Sequence, residues 1–385
     1  MEMPKNNPGD IFNGFHKLPL KKKIEILKNF CHLSKEDLFL LKKYQELPDF
    51  VDFENNIGPF KIATHFIVNQ KEYFVPMETE EPSVVAAASA GAKFFKKTGG
   101  FFGERKENKI IGQIQFEKKG NFQKNKKILE KEKEKILKMA NETNPFLFKI
   151  GGGAQDFFLK KIKNYFVFYL IVDPKDAQGA NIINTMLERI APFISKLTNQ
   201  KIIGAIVSNF SPLRIVKLKG KIFLSDLKKE FPRMKVKEIV KRILALLELA
   251  RNDIFRAVTH NKGIMNGIDA LFLATGNDFR AQEAAVHSFA IKKGKYQPLT
   301  HWKIEKNFLI GEIELPLISA TVGGATQTKK ALLAQKILRL KSSQELAFVC
   351  AAVGLANNFS AMLRIVTEGI QKGHMKLHKE FLKRL

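Results

Sequence analysis

Residues 84–95 constrain the fold more than any other part of the chain, because the run is rich in alanine and other small residues. Small side chains let other backbones approach closely, so this run predicts a packed central helix. Pro82 stands where a first helical turn would begin, a position that proline favours. Glu80 and Glu81 lie at the same entrance, where buried carboxylates are costly unless they have a partner or a task. The sequence therefore predicts a central helix with functional carboxylates at its start.

Patterns on either side of this helix predict two kinds of layer. Residues 60–75 alternate as a β-hairpin with its turn near residues 69–71, and Ser34 with Asp37 resembles a capping box. No G-x-G-x-x-G motif opens a βαβ unit, so the usual dinucleotide-binding fold is not expected. Instead, a helix after Asn181 and four strand-like runs predict an antiparallel α+β layer; the runs are residues 110–116, 165–172, 202–207 and 215–218.

From Lys235 onward the pattern is mainly helical, broken by loops that contain glycine. The predicted loops are residues 260–267, 275–278 and 322–326.

The net charge of +27 suits a polyanionic partner, which nucleic acid, an anionic membrane, coenzyme A or a dinucleotide would each provide. Much of the excess lies in mixed runs such as residues 126–138, where lysine and glutamate interleave as on a solvated helix face. No zinc-finger spacing or RNA-binding signature accompanies the charge, which argues against nucleic acid as a partner and against a bound metal. Because coenzyme A and dinucleotides are both polyanions, a basic cleft would also suit an enzyme that uses them.

The chain is also expected to be cytoplasmic and not membrane-bound. Its first ten residues are polar, and no apolar run approaches the roughly 20 residues that a membrane-spanning helix needs. Cys31 and Cys350 lie far apart in apolar stretches, which is typical of two reduced, buried thiols.

Each candidate motif has an ordinary structural explanation when it is taken alone. Lys262 in a glycine-containing segment is more often solvent-facing than catalytic, and Asp278 would serve as a helix cap. His374 would be a surface histidine near the end of the chain, and residues 176–181 an ordinary strand-to-helix turn.

Taken in order, however, these motifs resemble the class II (bacterial-type) hydroxymethylglutaryl-coenzyme A reductases over almost the whole chain. Residues 54–58 (Glu-Asn-Asn-Ile-Gly) also resemble that family's dimer-interface segment. The resemblance is weakest between residues 118 and 149. The motifs are residues 80–83 (Glu-Glu-Pro-Ser), 176–181 (Asp-Ala-Gln-Gly-Ala-Asn), Arg256 with residues 260–267, and residues 275–278, 322–326 and 368–374.

The resemblance implies an oxidoreductase of mevalonate and isoprenoid metabolism. It would interconvert 3-hydroxy-3-methylglutaryl-CoA and mevalonate plus CoA by two hydride transfers with NADPH or NADH. The implied assembly is a homodimer or larger homo-oligomer with the site at the subunit boundary. The implied fold is α+β: a large helix-rich substrate domain (residues 1–102 and 221–370) interrupted by a smaller antiparallel cofactor domain (103–220), with residues 371–385 as the remnant of a truncated C-terminal flap.

Catalytic roles follow from the same resemblance. Lys262 would stabilise the negative charge that develops on the substrate carbonyl oxygen, and Glu81 would donate a proton to that oxygen. Asp278 would lie between them and hold their hydrogen bonds, while His374 would protonate the departing coenzyme A thiolate. Two carboxylates that share a lysine titrate as a coupled pair, so one of them can stay protonated and act as an acid.

Binding roles are implied for two further groups of residues. Arg256 is suited to the free carboxylate of the substrate, because its guanidinium is planar and bidentate. The His16–Lys17 pair falls near the family's contacts to the coenzyme A phosphate. The substrate group is Ser83, Arg256, Asn209, Asn266 and Asn357, and the cofactor group is Asn144, Asp176, Gly179, Asn181, Gly323 and Gly324.

Cofactor preference depends on the position seven residues before Gly151, where NADH-preferring relatives carry an acidic residue. Here that position is Asn144, which is neutral and would not repel a 2′-phosphate. We therefore expect NADPH to be accepted at least as well as NADH.

The chain departs from the family pattern in three places. Gln178 replaces a methionine in the cofactor loop, and Asn357 replaces a glutamine in the substrate pocket. The third departure is that the chain ends at Leu385, where the family continues into a small helical flap. The short tail leaves open an alternative, namely a degenerate homologue that binds CoA or a dinucleotide without turnover.

Overall fold

The computed structural model describes residues 14–15, 18–45, 56–57, 60–117 and 120–371. Four predicted features therefore lie wholly or mostly outside the described residues: the His16–Lys17 pair, His374, the predicted flap remnant, and the 54–58 segment.

The strands form one large sheet, one smaller sheet and a short hairpin. They are β1 (Asn56–Ile57), β2 (Phe60–Val68), β3 (Lys71–Met77), β4 (Phe101–Arg105), β5 (Ile110–Glu117), β6 (Gly153–Ile162), β7 (Tyr165–Asp173), β8 (Ile202–Val207), β9 (Ile215–Phe223), β10 (Ile291–Lys292), β11 (Lys295–Tyr296), β12 (Thr300–Glu305) and β13 (Phe308–Pro316).

The helices pack against both sheets and against each other. They are α1 (Leu20–Cys31), α2 (Lys35–Gln45), α3 (Pro82–Lys96), α4 (Phe122–Lys131), α5 (Lys133–Asn141), α6 (Pro145–Lys149), α7 (Ala180–Thr198), α8 (Leu224–Glu230), α9 (Val236–Asn252), α10 (Ile254–Ala274), α11 (Phe279–Phe289), α12 (Lys329–Ile337) and α13 (Ser343–Val366), with a short 3-10 turn at Gly324–Gln327.

The smaller sheet confirms the predicted antiparallel α+β layer. Its strand order is β6-β7-β5-β8, and every neighbouring pair is antiparallel. Helix α7 covers one face, where Ile183, Met186 and Ile190 are fully buried in a core of their own. The smaller sheet and α7 therefore share a hydrophobic core that is distinct from the core of the larger domain.

The prediction that residues 215–218 belong to this layer was wrong. They begin β9, which pairs with β4 and β13 in the seven-stranded sheet of the larger domain. The alternating burial of β9 is the same in either sheet, so the local pattern could not show which partner it takes. Because β4 and β9 both belong to the larger sheet, we propose residues 106–214 as the smaller domain instead of 103–220.

Residues 260–267 were also assigned wrongly, since they form two turns of the long helix α10 and not a loop. Ile264, Met265 and Ile268 are buried at helical spacing along it. Gly267 faces α13 so closely that an added Cβ would lie 2.5 Å from Asn357 Oδ1. Gly267 therefore allows the two helices to pack closely. The predicted break at residues 275–278 is present, because these residues separate α10 from α11.

Small residues bring α3 and α13 together, as the sequence predicted. A Cβ on Gly91 of α3 would lie 2.2 Å from the Ala356 carbonyl oxygen of α13. Helix α13 is long and apolar enough to span a membrane, which contradicts the expectation that no run approached that length. However, 94% of its most apolar window is buried inside the protein. It is the central core helix.

Three local predictions were confirmed. Ser34 and Asp37 form a reciprocal capping box, in which each side chain accepts a hydrogen bond from the other's backbone N–H. Cys31 and Cys350 are both free and buried. The lysine- and glutamate-rich run forms the solvated faces of α4 and α5, which bury only a few residues such as Leu129.

Candidate active site

The entrance of α3 is organised around Glu81. Ser83 Oγ donates a hydrogen bond of 2.6 Å to Glu81 Oε1, and Pro82 takes the first helical position as predicted. Lys61, which the sequence analysis missed, is buried nearby and donates from Nζ to the Thr79 carbonyl oxygen at 3.0 Å. A buried lysine on a strand gives no sequence signal, because its neighbours are known only after the hairpin folds over α3.

A second lysine that the sequence did not indicate fixes the segment before Glu81. Lys330 Nζ lies 2.5 Å from Glu78 Oε2. The backbone N–H of Glu78 donates to the Ala270 carbonyl oxygen of α10 at 2.8 Å. These contacts tie the Glu-Glu-Pro-Ser segment to α10 and α12.

Two of the predicted substrate residues meet where α3, α10 and α13 cross. Asn357 is buried and donates from Nδ2 to the Val84 carbonyl oxygen at 3.1 Å. Its Oδ1 has no hydrogen-bond partner among the described residues. Asn266 lies partly buried on α10, next to Gly267, which packs against Asn357. Buried polar atoms normally have partners, so an unpartnered oxygen here suits a bound ligand.

Arg256 also has unused hydrogen-bonding capacity. It lies in the first turn of α10, where its backbone N–H is capped by Asp253 Oδ2 at 3.0 Å. Its buried side-chain Nε has no partner within the described chain, and burial lowers the pKa of the guanidinium. Asn209, by contrast, is exposed on the loop between β8 and β9. Of these two predicted substrate residues, only Arg256 presents a desolvated donor suited to an anion.

The predicted catalytic residues on α10 and α11 have separate partners within one chain. Lys262 is exposed on α10, and its positive charge acts to lower the pKa values of Asp269 and Glu283. Asp278 caps α11 by accepting from the Ala281 N–H at 3.1 Å, as the simplest explanation of this residue predicted. Its carboxylate also lies 3.4 Å from Arg280.

The loop before Asp278 is held against the second glycine loop. Asn277 donates from Nδ2 to the Ala320 carbonyl oxygen at 3.1 Å and accepts from the Ala320 N–H at 2.7 Å. A Cβ on Gly276, whose φ is +67°, would lie 2.4 Å from the Ala325 carbonyl oxygen. Asp278 therefore lies at one end of a rigid connection to residues 320–325.

The two predicted cofactor segments lie side by side. The Asp176 carbonyl oxygen accepts from the Thr321 N–H at 2.9 Å, and Ala177 forms a parallel bridge with Val322. Asp176 Oδ1 accepts from the backbone N–H of Ser343, the first residue of α13, at 2.7 Å. Backbone contacts thus join the smaller domain's loop to the larger domain's glycine loop.

The glycines of these segments all have a positive φ, and two of the three border open space. Gly179 has a φ of +97°, and a Cβ there would lie 2.5 Å from Ile110 Cδ1. It precedes α7, whose first turn contains no acidic residue and includes Asn181, so backbone N–H groups are available to an anion. Gly323 and Gly324 both have positive φ and open space around them. The loops fit a phosphate-bearing cofactor.

Asn144 acts as a helix cap, with its Oδ1 accepting from the Leu147 N–H at 3.0 Å. Asn141 was not predicted from the sequence. Its buried side chain accepts from the Ala154 N–H at 2.7 Å and donates to the Ala154 carbonyl oxygen at 3.0 Å. A Cβ on Gly153 would lie 2.2 Å from Asn141 Oδ1. The glycine run is therefore pinned beside Asn144.

Two buried arginines beneath the cofactor loop were also missed. Arg214 is fully buried and donates from Nη2 to the Ala177 carbonyl oxygen at 3.3 Å. Burial lowers the pKa of Arg214 to about 9 and that of Arg105 to about 10, and Arg105 adds to the effect on Arg214. Arg105 in turn donates to the Leu317 carbonyl oxygen at 2.9 Å. Both side chains brace the connection between the domains.

Comparisons with known proteins agree with this arrangement. The family model described as hydroxymethylglutaryl-coenzyme A reductase matches residues 20–379. The 3-hydroxy-3-methylglutaryl-coenzyme A reductase of Archaeoglobus fulgidus is 42% identical over 95% of this chain and 85% of its own length. A probable reductase of the same name from Borreliella burgdorferi is 35% identical, over 94% of this chain and 84% of its own.

A solved structure shows the same fold. The class II 3-hydroxy-3-methylglutaryl-CoA reductase of Streptococcus pneumoniae, bound to NADPH in open conformations, aligns with a TM-score of 0.84. It is 34% identical in sequence, and the alignment covers 93% of this chain and 100% of the solved chain. The chain described here belongs to the hydroxymethylglutaryl-coenzyme A reductase family, in its class II branch.

Proposed function

We propose that the protein interconverts 3-hydroxy-3-methylglutaryl-CoA and mevalonate plus CoA in two successive reductions that use NADPH or NADH. The observation that carries this proposal is the contact between the loop of Asp278 and the glycine loop at Ala325. That contact sets the predicted catalytic segment beside the predicted glycine loop, which in turn pairs with the Asp176 loop at Ala177 and Val322.

A nicotinamide dinucleotide supplies hydride when it is bound, and the loops around Gly179 and Gly323 would hold its phosphates. The chain's own residues then manage charge and protons. Lys262 would stabilise the oxyanion that forms on the substrate carbonyl, and Glu81 would supply the proton that this oxygen takes up. In the first reduction the carbon–sulfur bond breaks, and His374 would protonate the departing thiolate.

The hydrogen bond from Ser83 fixes the Glu81 carboxyl at the entrance of α3. Arg256, with its unpartnered Nε, would bind the free carboxylate of the 3-hydroxy-3-methylglutaryl group. Asn357 Oδ1, also unpartnered among the described residues, would accept from the substrate hydroxyl. Arg256 and Asn357 would thus use hydrogen-bonding capacity that the described residues leave unfilled.

The active assembly is proposed to be a homodimer or larger homo-oligomer of cytoplasmic subunits. Lys262, Glu81 and Asp278 have different partners within one chain, so a second copy would complete the set. The surface beside Arg256 and Lys262 is apolar and exposed, a property typical of an interface; it comprises Leu249, Ile254, Phe255 and Val258. Light scattering of the purified protein measures the assembly directly.

The test of function is to mix the purified protein with 3-hydroxy-3-methylglutaryl-CoA and follow NADPH and NADH oxidation. We expect two equivalents of cofactor to be consumed for each mevalonate formed. The competing function is a degenerate homologue that binds CoA or dinucleotide without turnover. Calorimetric binding of CoA, with neither NAD(P)H oxidation from the thioester nor NAD(P)+ reduction from mevalonate and CoA, would establish that alternative and refute the proposed activity.

A further inference from the structure

Four polar side chains that the proposed mechanism does not use form a continuous chain beside Lys262. Glu283 Oε2 lies 2.5 Å from His287 Nε2, one turn apart on α11. His287 Nδ1 lies 2.6 Å from the Tyr296 hydroxyl on β11, and the two rings stack with centroids 5.9 Å apart. At the other end, Asp269 of α10 is hydrogen-bonded to Glu283.

We call these four side chains the carboxyl network. Both ends of the network contact α10, the helix that carries Lys262. The Tyr296 hydroxyl is hydrogen-bonded to the side chain of Asn261, the residue immediately before Lys262. Asp269 lies two helical turns beyond Lys262. Asn261 is itself fixed, since its Oδ1 accepts from the Leu299 N–H at 3.0 Å. The network therefore fixes α10 on both sides of the lysine.

The contact between Asp269 and Glu283 requires a proton. A carboxylate can only accept hydrogen bonds, so two hydrogen-bonded carboxyl groups must hold one proton between them. Burial, followed by the hydrogen bond and charge of Glu283, raises the pKa of Asp269 to about 9. The hydrogen bond from His287 lowers the pKa of Glu283. The shared proton therefore resides on Asp269 at neutral pH, and Glu283 is ionised.

Two basic groups act on the pair of carboxyl groups. The hydrogen bond and charge of His287 lower the pKa of Glu283, and the charge of Lys262 acts to lower the pKa of both Glu283 and Asp269. On the α13 side, the buried Cys350 thiol faces Asp269, whose charge adds to the effect of burial in raising the thiol's pKa. Asp269 Oδ1 is buried and has no hydrogen-bond partner among the described residues.

We propose that Asp269, Glu283, His287 and Tyr296 are positioning residues for Lys262. The two carboxyl groups share one proton and leave one carboxylate near the lysine, which keeps its ammonium group in place while the substrate carbonyl is reduced. This inference rests on the proposed role of Lys262. A second carboxylate would draw the ammonium group away from the substrate, and loss of the remaining carboxylate would release it.

Substitutions that change charge without changing shape test the network. In Asp269→Asn the amide donates to Glu283 as the protonated acid does, so we expect kcat at neutral pH to stay within about twofold of the parent. In Asp269→Asn combined with Glu283→Gln neither carboxyl group remains, and we expect kcat to fall about tenfold with KM for 3-hydroxy-3-methylglutaryl-CoA unchanged. Glu238→Gln, which breaks a comparable one-turn pair with Arg242 on α9, is the matched control.

The pH profile separates positioning from simple packing. The parent protein should lose kcat as the pH rises through about 9, where Asp269 releases its proton. The amide introduced by Asp269→Asn cannot titrate, so that decline should be absent from the single variant. A single variant as impaired as the double one, or one that keeps the alkaline decline, overturns the proposal.

Two further measurements keep the outcome decisive. If the double variant does not fold, Tyr296→Phe removes the hydrogen bonds of the Tyr296 hydroxyl at almost constant side-chain volume. We expect kcat to be about threefold lower with KM unchanged. An unchanged kcat would overturn the proposed network. Lys262→Ala is measured in parallel. Normal turnover in that variant refutes the catalytic assignment itself, whereas the Asp269 and Glu283 variants test only the positioning.

Discussion

In the cofactor loops, backbone hydrogen bonds join distant segments directly, as between Asp176 and Thr321. The predicted catalytic side chains are held differently, because Glu81, Lys262 and Asp278 each interact with a separate neighbour. One chain therefore preorganises the predicted cofactor side of the site through its backbone. We propose that the predicted catalytic side chains, on the charged side of the site, are brought together only when substrate and a second subunit are present. Substitutions on each side should accordingly affect different kinetic constants.

The largest effect is expected on the charged side. Lys262→Ala should lower kcat at least about a hundredfold, since it removes the residue that we propose as the main stabiliser of the substrate oxyanion. Cofactor KM should not change, because the loops around Asp176 do not involve this lysine. Steady-state kinetics give both constants, and Lys237→Ala, an exposed lysine on α9, is the control. Near-normal turnover would place the oxyanion elsewhere.

His260, on the buried side of the same helix segment, tests how tightly that segment is packed. Its Nε2 lies 2.7 Å from Thr300 Oγ1, and burial lowers its pKa from 6.5 to about 3. A folded-state pKa below the unfolded one gives stability that is present above pH 6.5 and lost as the pH falls towards 3. Between about pH 6 and pH 4.5 the parent should lose about 2 kcal/mol more unfolding free energy than His260→Gln.

Urea unfolding at each pH measures that difference. His301→Gln, which replaces an exposed histidine 2.6 Å from Arg251, is the control and should follow the parent. Identical pH dependence in His260→Gln and the parent would mean that the ring is charged, or solvated, in the folded protein.

On the cofactor side, Gly179→Ala should raise KM for NADPH about tenfold and leave KM for the thioester substrate unchanged. The new Cβ would both strain a positive φ and meet Ile110 at 2.5 Å, which displaces the start of α7. Gly120→Ala is the matched control, since Gly120 also has a positive φ (+78°) but open space around it. Equal effects of the two substitutions would show that strain alone, and not the loop, is responsible.

The smallest effect is expected for cofactor choice. Asn144→Asp keeps the helix cap, because aspartate and asparagine are equally good caps, and adds one negative charge. It should raise the ratio of NADH to NADPH in kcat/KM about fivefold by repelling the 2′-phosphate. Asn121→Asp makes the same change at the N-terminus of α4 and should leave the ratio unchanged. An unaltered ratio in Asn144→Asp would put the adenine ribose elsewhere.

Local patterns predicted most of the elements correctly. The hairpin of β2 and β3, the proline at the start of α3 and the antiparallel smaller sheet follow from alternation, helical spacing and capping, which act over a few residues. The same reasoning failed for residues 260–267, where the glycines were taken as a loop although the segment is helical and Gly267 allows α10 and α13 to pack closely. It also failed for β9, whose alternation is independent of the sheet it joins.

The candidate site was also predicted only in part. The sequence indicated Glu81, Lys262 and Asp278, because a motif consists of given residue types in a given order along the chain. No sequence pattern indicated Lys61 or Arg214, or the bond between Asp269 and Glu283. Those groups act through burial and through partners that are distant in sequence. The sequence determined the chemistry of each residue, because that is a local property. Desolvation and the pairing of remote groups exist only once the helices and sheets have packed, so only the tertiary structure decided them.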